Sequence, residues 1–180
     1  MQDEKEFIES LLNSKTQNQA FQKLLFTYQK PLYFHIRNIV LDHDDTDDVL
    51  QNTFIKIFQN LKNFTGDSKL YSWMYRIATN ESLTFIKQKA KKNKISTEEL
   101  NTKIIDNLAA DVYFEGDEIQ IKLQKAIALL PTKQQLVFKM KYFEELKYEE
   151  IAVILDTSVG ALKASYHHAV KKIEAFVTSN

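Results

Sequence analysis

The stretch KYEEIAVILDTSVGALKASYHHAVKKI, residues 147–173, reads as two helices separated by one break. Tyr148, Ile151, Ala152 and Leu155 recur at helical spacing, which predicts a short amphipathic helix over Lys147–Leu155. Asp156-Thr157-Ser158 ends that pattern. Ser158 stands where its hydroxyl can accept a free backbone N–H of the following helix. Leu162, Tyr166, Ala169, Val170 and Ile173 then form one apolar stripe, and Lys163, His167 and Lys171 follow at successive i, i+4 steps on the other side. Two helices joined by a tight turn, the second with a basic outer stripe, suit docking in a DNA major groove. They equally suit a surface hairpin with a solvated lysine face, and this segment alone leaves both readings open.

Working outward, the rest of the chain is also helical in pattern. Three glycines and two prolines in 180 residues are few, and Leu, Ile, Lys, Gln and Glu are common. The expectation is an all-α protein of one ordinary domain or two small ones. Phe7, Ile8, Leu11 and Leu12 make a first stripe. Phe21, Leu24, Leu25, Tyr28, Leu32 and Ile36 make a second, with Pro31 inside it as an expected kink. Leu50, Phe54, Ile57 and Leu61 make a third, and Trp73, Ile77, Leu83 and Phe85 a fourth. Each stripe is too narrow to stand alone, which implies a bundle over 1–94.

Residues 95–117 lose the pattern. Ser96-Thr97-Glu98-Glu99 can cap a brief turn, but Asn101, Asp106, Asn107, Asp111 and Gly116 read as loop. The expectation is a flexible acidic linker, which at ~3.3 Å per residue spans about 75 Å when extended. It would join the bundle to a second helical domain, 118–180, that ends in the helix-turn-helix.

The net charge is zero, but it is unevenly spread. Residues 1–94 hold fourteen Lys and Arg against eleven Asp and Glu, 95–117 one against six, and 118–180 nine against seven. Two mildly basic blocks thus flank an acidic spacer. The chain has no cysteine, hence no disulfide or cysteine-ligated metal. The acidic start MQDEKEFIES lacks an apolar signal core, and no stretch approaches the ~18 apolar residues of a membrane span. A cytoplasmic protein without direct membrane insertion is expected. No Gly-rich phosphate loop, nucleophile elbow or kinase-like motif is present, and no histidine pair has zinc-enzyme spacing. Neither enzyme activity nor a cofactor is expected. Asp42-His43-Asp44-Asp45-Thr46-Asp47-Asp48 fails the calcium-loop pattern, with Asp47 at the glycine position and Thr53 at that of the last glutamate. It reads better as a helix start, where aspartates face free N–H groups and the positive end of the dipole.

The block DDVLQNTFIKIFQNLKNFTGDSKLYSWMYRIATNESLTFIKQKAKK, residues 47–92, resembles the sigma-70 family of bacterial RNA polymerase initiation factors, in its extracytoplasmic-function group. Asp48, Gln51 and Phe54 match its D-x-x-Q-x-x-F helix, and Phe64, Gly66 and Ser68 its F-x-G-x-S loop. Trp73-Met74-Tyr75-Arg76-Ile77-Ala78 and Asn80 match W-[LM]-Y-R-I-A-x-N. Near the C-terminus, Leu130-Pro131, Gln134, Val137 and Phe138 fit as well, followed by Tyr148-Glu149-Glu150-Ile151-Ala152, Ser158-Val159-Gly160 and Lys163. The resemblance implies a sigma factor that brings core RNA polymerase to promoter DNA through its β′ clamp and β flap, and relatives are often held by an anti-sigma protein. It implies polymerase binding by Asp48, Gln51 and Asn52, the last at a position where relatives often carry an acid. It implies −10 element contacts by Lys56, Phe64, Tyr75, Arg76 and Asn80. Loop 63–68 would take one flipped base, stacked on Phe64 and Tyr75. It implies −35 contacts by Ser158, Gly160, Lys163, His167 and Lys171, with Ser165 where many relatives have arginine. The linker would cross core polymerase near its active centre.

Tyr71, Trp73 and Tyr75 alternate at period two, so they cannot all be buried on one helical face, and at least one is free to meet something outside. The run Lys87-Gln-Lys-Ala-Lys-Lys-Asn-Lys94 offers charge to phosphates. His168 is expected half-buried. A helix-turn-helix regulator acting without polymerase, or a helical interaction protein that binds no DNA, would be the other classes compatible with the helices alone.

Overall fold

Asp42 sets the first corner of the fold. Its carboxylate accepts the Asp45 N–H at 2.9 Å and starts a helix directly after Leu41, which caps the previous helix with a left-handed φ of 69°. The computed structural model describes residues 2–107 and 118–179, and among them all regular structure is helical. The order is α1 (Gln2–Leu12), α2 (Gln17–Val40), α3 (His43–Asn60), α4 (Leu70–Lys92), α5 (Thr97–Asp106), α6 (Glu118–Ala128), α7 (Thr132–Tyr142), α8 (Tyr148–Leu155) and α9 (Val159–Ser179). A 3-10 turn at Leu61–Asn63 follows α3. Pro31 sits inside the unbroken span of α2.

The first three stripes face the core as their spacing predicts, except for Leu12, which is exposed. Leu11, Leu24, Leu32, Ile36, Leu50, Phe54, Ile57 and Leu61 are all buried in one cluster. The fourth differs. On α4 the buried residues are Leu70, Met74, Ala78, Ser82, Ile86 and Ala90, with Ser72, Tyr75 and Thr79 beside them, whereas Trp73, Ile77, Leu83 and Phe85 are only half-buried. The cause is that α4 is covered on more than one side, by α2 and α3 of the bundle and by α8 from the C-terminal half. A central helix loses the single stripe that marks a surface helix. Glu4 of α1 accepts the Leu70 N–H at 3.1 Å, so α1 caps α4 from outside its own segment.

Residues 97–106, read above as loop, form helix α5. Ser96 and Glu99 make a reciprocal capping box, with bonds of 3.0 and 2.8 Å. Leu100 is buried with Ile39, Ile86, Ala90 and Leu136, and that packing extends a capped turn into a helix. Asp111 and Gly116 lie outside the described residues. The two halves are not held apart. Val137, Met140, Leu146, Ile151, Ile154 and Leu162 belong to the same core cluster as the N-terminal bundle. No helix among the described residues is long and apolar enough to cross a membrane.

Candidate nucleic-acid interface

Three surfaces carry the residues singled out by sequence. On α3, Asp48, Gln51 and Asn52 are all exposed, because Val49, Leu50, Thr53 and Phe54 turn the opposite face into the core. Ile55 and Phe58 are exposed near them, which gives this face an apolar border.

The second surface lies between α3 and α4. Lys56, Asn60, Asn63, Trp73, Ile77, Asn80 and Glu81 line one shallow depression. Lys56 and Asn80, 24 positions apart in sequence, are thereby brought together. Lys56 donates to Glu81 at 2.6 Å, so its ammonium is already oriented over the depression. Trp73 was absent from the expected contacts, yet it is the aromatic that lines this surface. Of the three period-two aromatics, Tyr71 and Trp73 are half-buried and Tyr75 is buried, and Trp73 is the one beside Lys56 and Asn80. Phe64 is buried beneath, its ring 5.3 Å from that of Trp73. Gly66, with φ +81°, makes the turn of the loop.

Tyr75 does not line the depression. It is 5% exposed and packs 4.2 Å from the Tyr71 ring and 4.5 Å from the His35 ring. Burial pushes the Tyr71 hydroxyl up to about 12 and the Tyr75 hydroxyl higher still, so both stay neutral. Arg76 points away from the depression and pairs with Asp156 at 3.2 Å.

The third surface is the outer face of α9. Ser158 accepts the Ala161 N–H at 3.2 Å, as its position predicts. Asp156 closes α8 in the left-handed region at φ 51°. Leu162, Ala169 and Ile173 are buried, and Ser158, Gly160, Lys163, His167 and Lys171 are exposed. A Cβ at Gly160 would meet nothing within 4 Å. His168, expected half-buried, is exposed: the stripe that reaches the core runs through Ala169, one residue on. The Lys163 ammonium sits 5.8 Å over the Tyr148 ring, which ties the second helix to the first.

Residues 24–92 match the family described as Sigma-70 region 2, and residues 120–173 match Sigma-70, region 4. The chain belongs to the sigma-70 family. The RNA polymerase sigma-H factor of Pseudomonas aeruginosa is 29% identical over 163 residues, covering 86% of this chain and 84% of that one. The ECF RNA polymerase sigma factor SigW of Bacillus subtilis is 28% identical over 161 residues, 85% and 86% of the two chains. Among solved structures, CnrH in complex with the cytosolic domain of CnrY has a TM-score of 0.70 at 18% identity, covering 98% of both chains. The sigma factor RpoE bound to the anti-sigma factor NepR from Bartonella quintana has a TM-score of 0.64 at 17% identity, covering 88% and 96%. These two likenesses are of fold. This sigma factor, of the extracytoplasmic-function group, is a transcription initiation factor and not an enzyme. It binds core RNA polymerase, directs it to promoters and helps to open the DNA.

Proposed function

We propose that this sigma factor divides initiation among the three surfaces. The exposed face of α3, with Asp48, Gln51 and Asn52, meets the polymerase β′ clamp. The depression on α3 and α4 takes the melted −10 strand. Lys56 contacts phosphate, Asn80 contacts a base edge and Trp73 offers a stacking face, with Phe64 and Tyr75 supporting it from the core. Arg76 adds a phosphate contact once it is released from Asp156. Ser158, Gly160, Lys163, His167 and Lys171 of α9 and its turn meet the −35 duplex, while the rest of 118–180 reaches the β flap. The working units are 1–94 and 118–180 with 95–117 between them, and the protein works in the cytoplasm. RpoE of Bartonella quintana is bound by an anti-sigma factor, and an anti-sigma partner for this chain is part of the proposal.

The observation that carries this reading is the joining of Lys56, Asn63, Trp73 and Asn80 on one surface. A cation, amides and an aromatic face are what an unstacked base and its phosphate require, and stacking supplies roughly 1–3 kcal/mol per base. The test is permanganate footprinting of open complexes made with Lys56→Ala and Asn80→Ala holoenzymes. Opening should fail on duplex promoter and partly return on a pre-melted bubble. Normal opening in both would remove the depression from the −10 site.

A further inference from the structure

Lys139 is a buried cation that none of the three surfaces uses. It lies on α7, is 4% exposed, and forms part of the wall of a small cavity where α4, α5 and α7 meet. Among the described residues its ammonium has no hydrogen bond and no ion pair. Glu144, whose charge favours the protonated form, is held instead by His35 at 2.8 Å and Asn38 at 3.4 Å. A buried charge without an acceptor is costly. Burial lowers this ammonium only to about 8, so at neutral pH it is still mostly charged and lacks an anion. The cavity beside it has room for one. Lys87, Thr97, Asn101 and Thr132 line its polar side, and Ile86 and Leu136 its apolar side. Thr132 is the first residue of α7, and Pro131 before it brings no capping side chain. The N–H groups of Thr132, Lys133 and Gln134 therefore have no partner within the helix, and they form the positive end of its dipole. The opposing charge at the cavity is Glu98 of α5, which is exposed and accepts from the Thr97 hydroxyl at 3.2 Å.

Size narrows the class of anion. The cavity holds about 60 Å³. An engineered cavity of about 150 Å³ takes benzene, which is roughly 25 Å³ per heavy atom. At that ratio this cavity takes two or three heavy atoms, the size of a carboxylate group and too small for a phosphate. We infer that it is a binding site for a small carboxylate of formate or acetate size. One carboxylate oxygen accepts from the Lys139 ammonium, and the other faces the open N-terminus of α7. Water can fill the same space, but it leaves the buried charge unopposed. The Lys87 ammonium at the cavity adds a second cation from α4, so the ligand ties α7 to α4. The site shares no residue with the α3 face or with the depression that holds Lys56 and Asn80, and it stands apart from the polymerase and promoter assignments.

The test is calorimetric titration of the full-length protein with sodium formate, in a carboxylate-free buffer at ionic strength held constant with sodium chloride. Binding should saturate at one formate per chain. The charged groups that face Lys139 are Lys87 of α4, Glu98 of α5 and Glu144 in the turn after α7. Formate needs the ammonium form of Lys139, so with that group at about 8 its affinity should fall roughly tenfold from pH 7 to pH 9. Lys139→Met keeps an unbranched apolar side chain in place and should weaken binding about tenfold or more, the worth of one charge-assisted hydrogen bond. Whatever binding remains in that variant should not change with pH. Lys15→Met, at an exposed lysine outside the cavity, should bind as wild type does. Inorganic phosphate should not displace formate. Absence of saturable binding, an affinity that does not change with pH in the wild type, equal binding by Lys139→Met, or displacement by phosphate would each overturn the inference.

Discussion

Replacing Tyr75 by alanine should unfold this protein more readily before it says anything about DNA. The ring is 5% exposed and wedged between Tyr71 and His35. An aromatic side chain buries ~150–250 Å². At ~25 cal/mol per Å² that is roughly 4–6 kcal/mol, and a compact unfolded chain reduces it to ~3–4. Large-to-small aromatic replacements in cores fall in the same range, about 3–5 kcal/mol. For a chain of this size each kcal/mol moves the melting temperature by ~2–4 °C, so a drop of roughly 6–16 °C is expected. Tyr75→Phe keeps the ring and loses only the hydroxyl, which is bonded to Tyr71; it should cost about 1 kcal/mol. Thermal and urea unfolding of the three proteins, followed by circular dichroism, measures both. If Tyr75→Ala melted within a degree or two of wild type, the ring would not be packed as described, and the resemblance-based role as an exposed stacking surface would regain its claim.

Reversing Asp48 to lysine together with Gln51→Ala should abolish co-purification with core polymerase. It should cost less than about 1.5 kcal/mol of stability, since both side chains are exposed and only Asp48 lies near a helix start. Lys163→Ala and Lys171→Ala should each weaken promoter binding by the holoenzyme and flatten its salt dependence by ~0.9 if each lysine meets one phosphate; an unmoved slope would put the stripe on the solvent side. Lys139, on α7, is buried, and burial lowers its ammonium to about 8, with the nearby Glu144 opposing that shift, while Lys87 and Glu98 line the same cavity. Between pH 8 and about 10 the unfolded chain binds the proton that the folded chain has released, so stability should rise with pH there by up to ~1.4 kcal/mol per unit. Lys139→Met should be more stable at pH 7 and lose that slope relative to wild type, as read by urea midpoints across the range.

The parts of this protein that were legible in sequence are those set by contacts along one helix. The helix-turn-helix was legible because Leu162, Ala169 and Ile173 repeat at helical spacing and Ser158 caps within three residues. The exposed −35 stripe and the α3 face follow from the same periodicity. The −10 surface was legible only in part. Lys56 and Asn80 came from resemblance, and nothing in spacing says that they meet. Trp73 was masked by its neighbours, since the period-two aromatics gave no way to choose the outward one without knowing what covers α4.

What covers α4 is the step that local pattern cannot supply. Its buried face is made of Ser72, Ala78, Thr79 and Ser82 as much as of Leu70 and Met74. Small and hydroxylated residues are what close helix approach needs, and a hydrophobicity pattern counts them as surface. Ser82 and Thr79 satisfy their hydroxyls on carbonyls of their own helix, at 2.8 Å in both cases, so they can be buried without outside partners. The interface carboxylates were hidden for the complementary reason. Glu144, Glu150 and Asp156 sit at helix ends and turns, where acids are ordinary solvated residues. They become informative only when His35, Lys69 and Arg76 are found opposite them. A chain with zero net charge can thus carry a basic face and conceal it with its own acids.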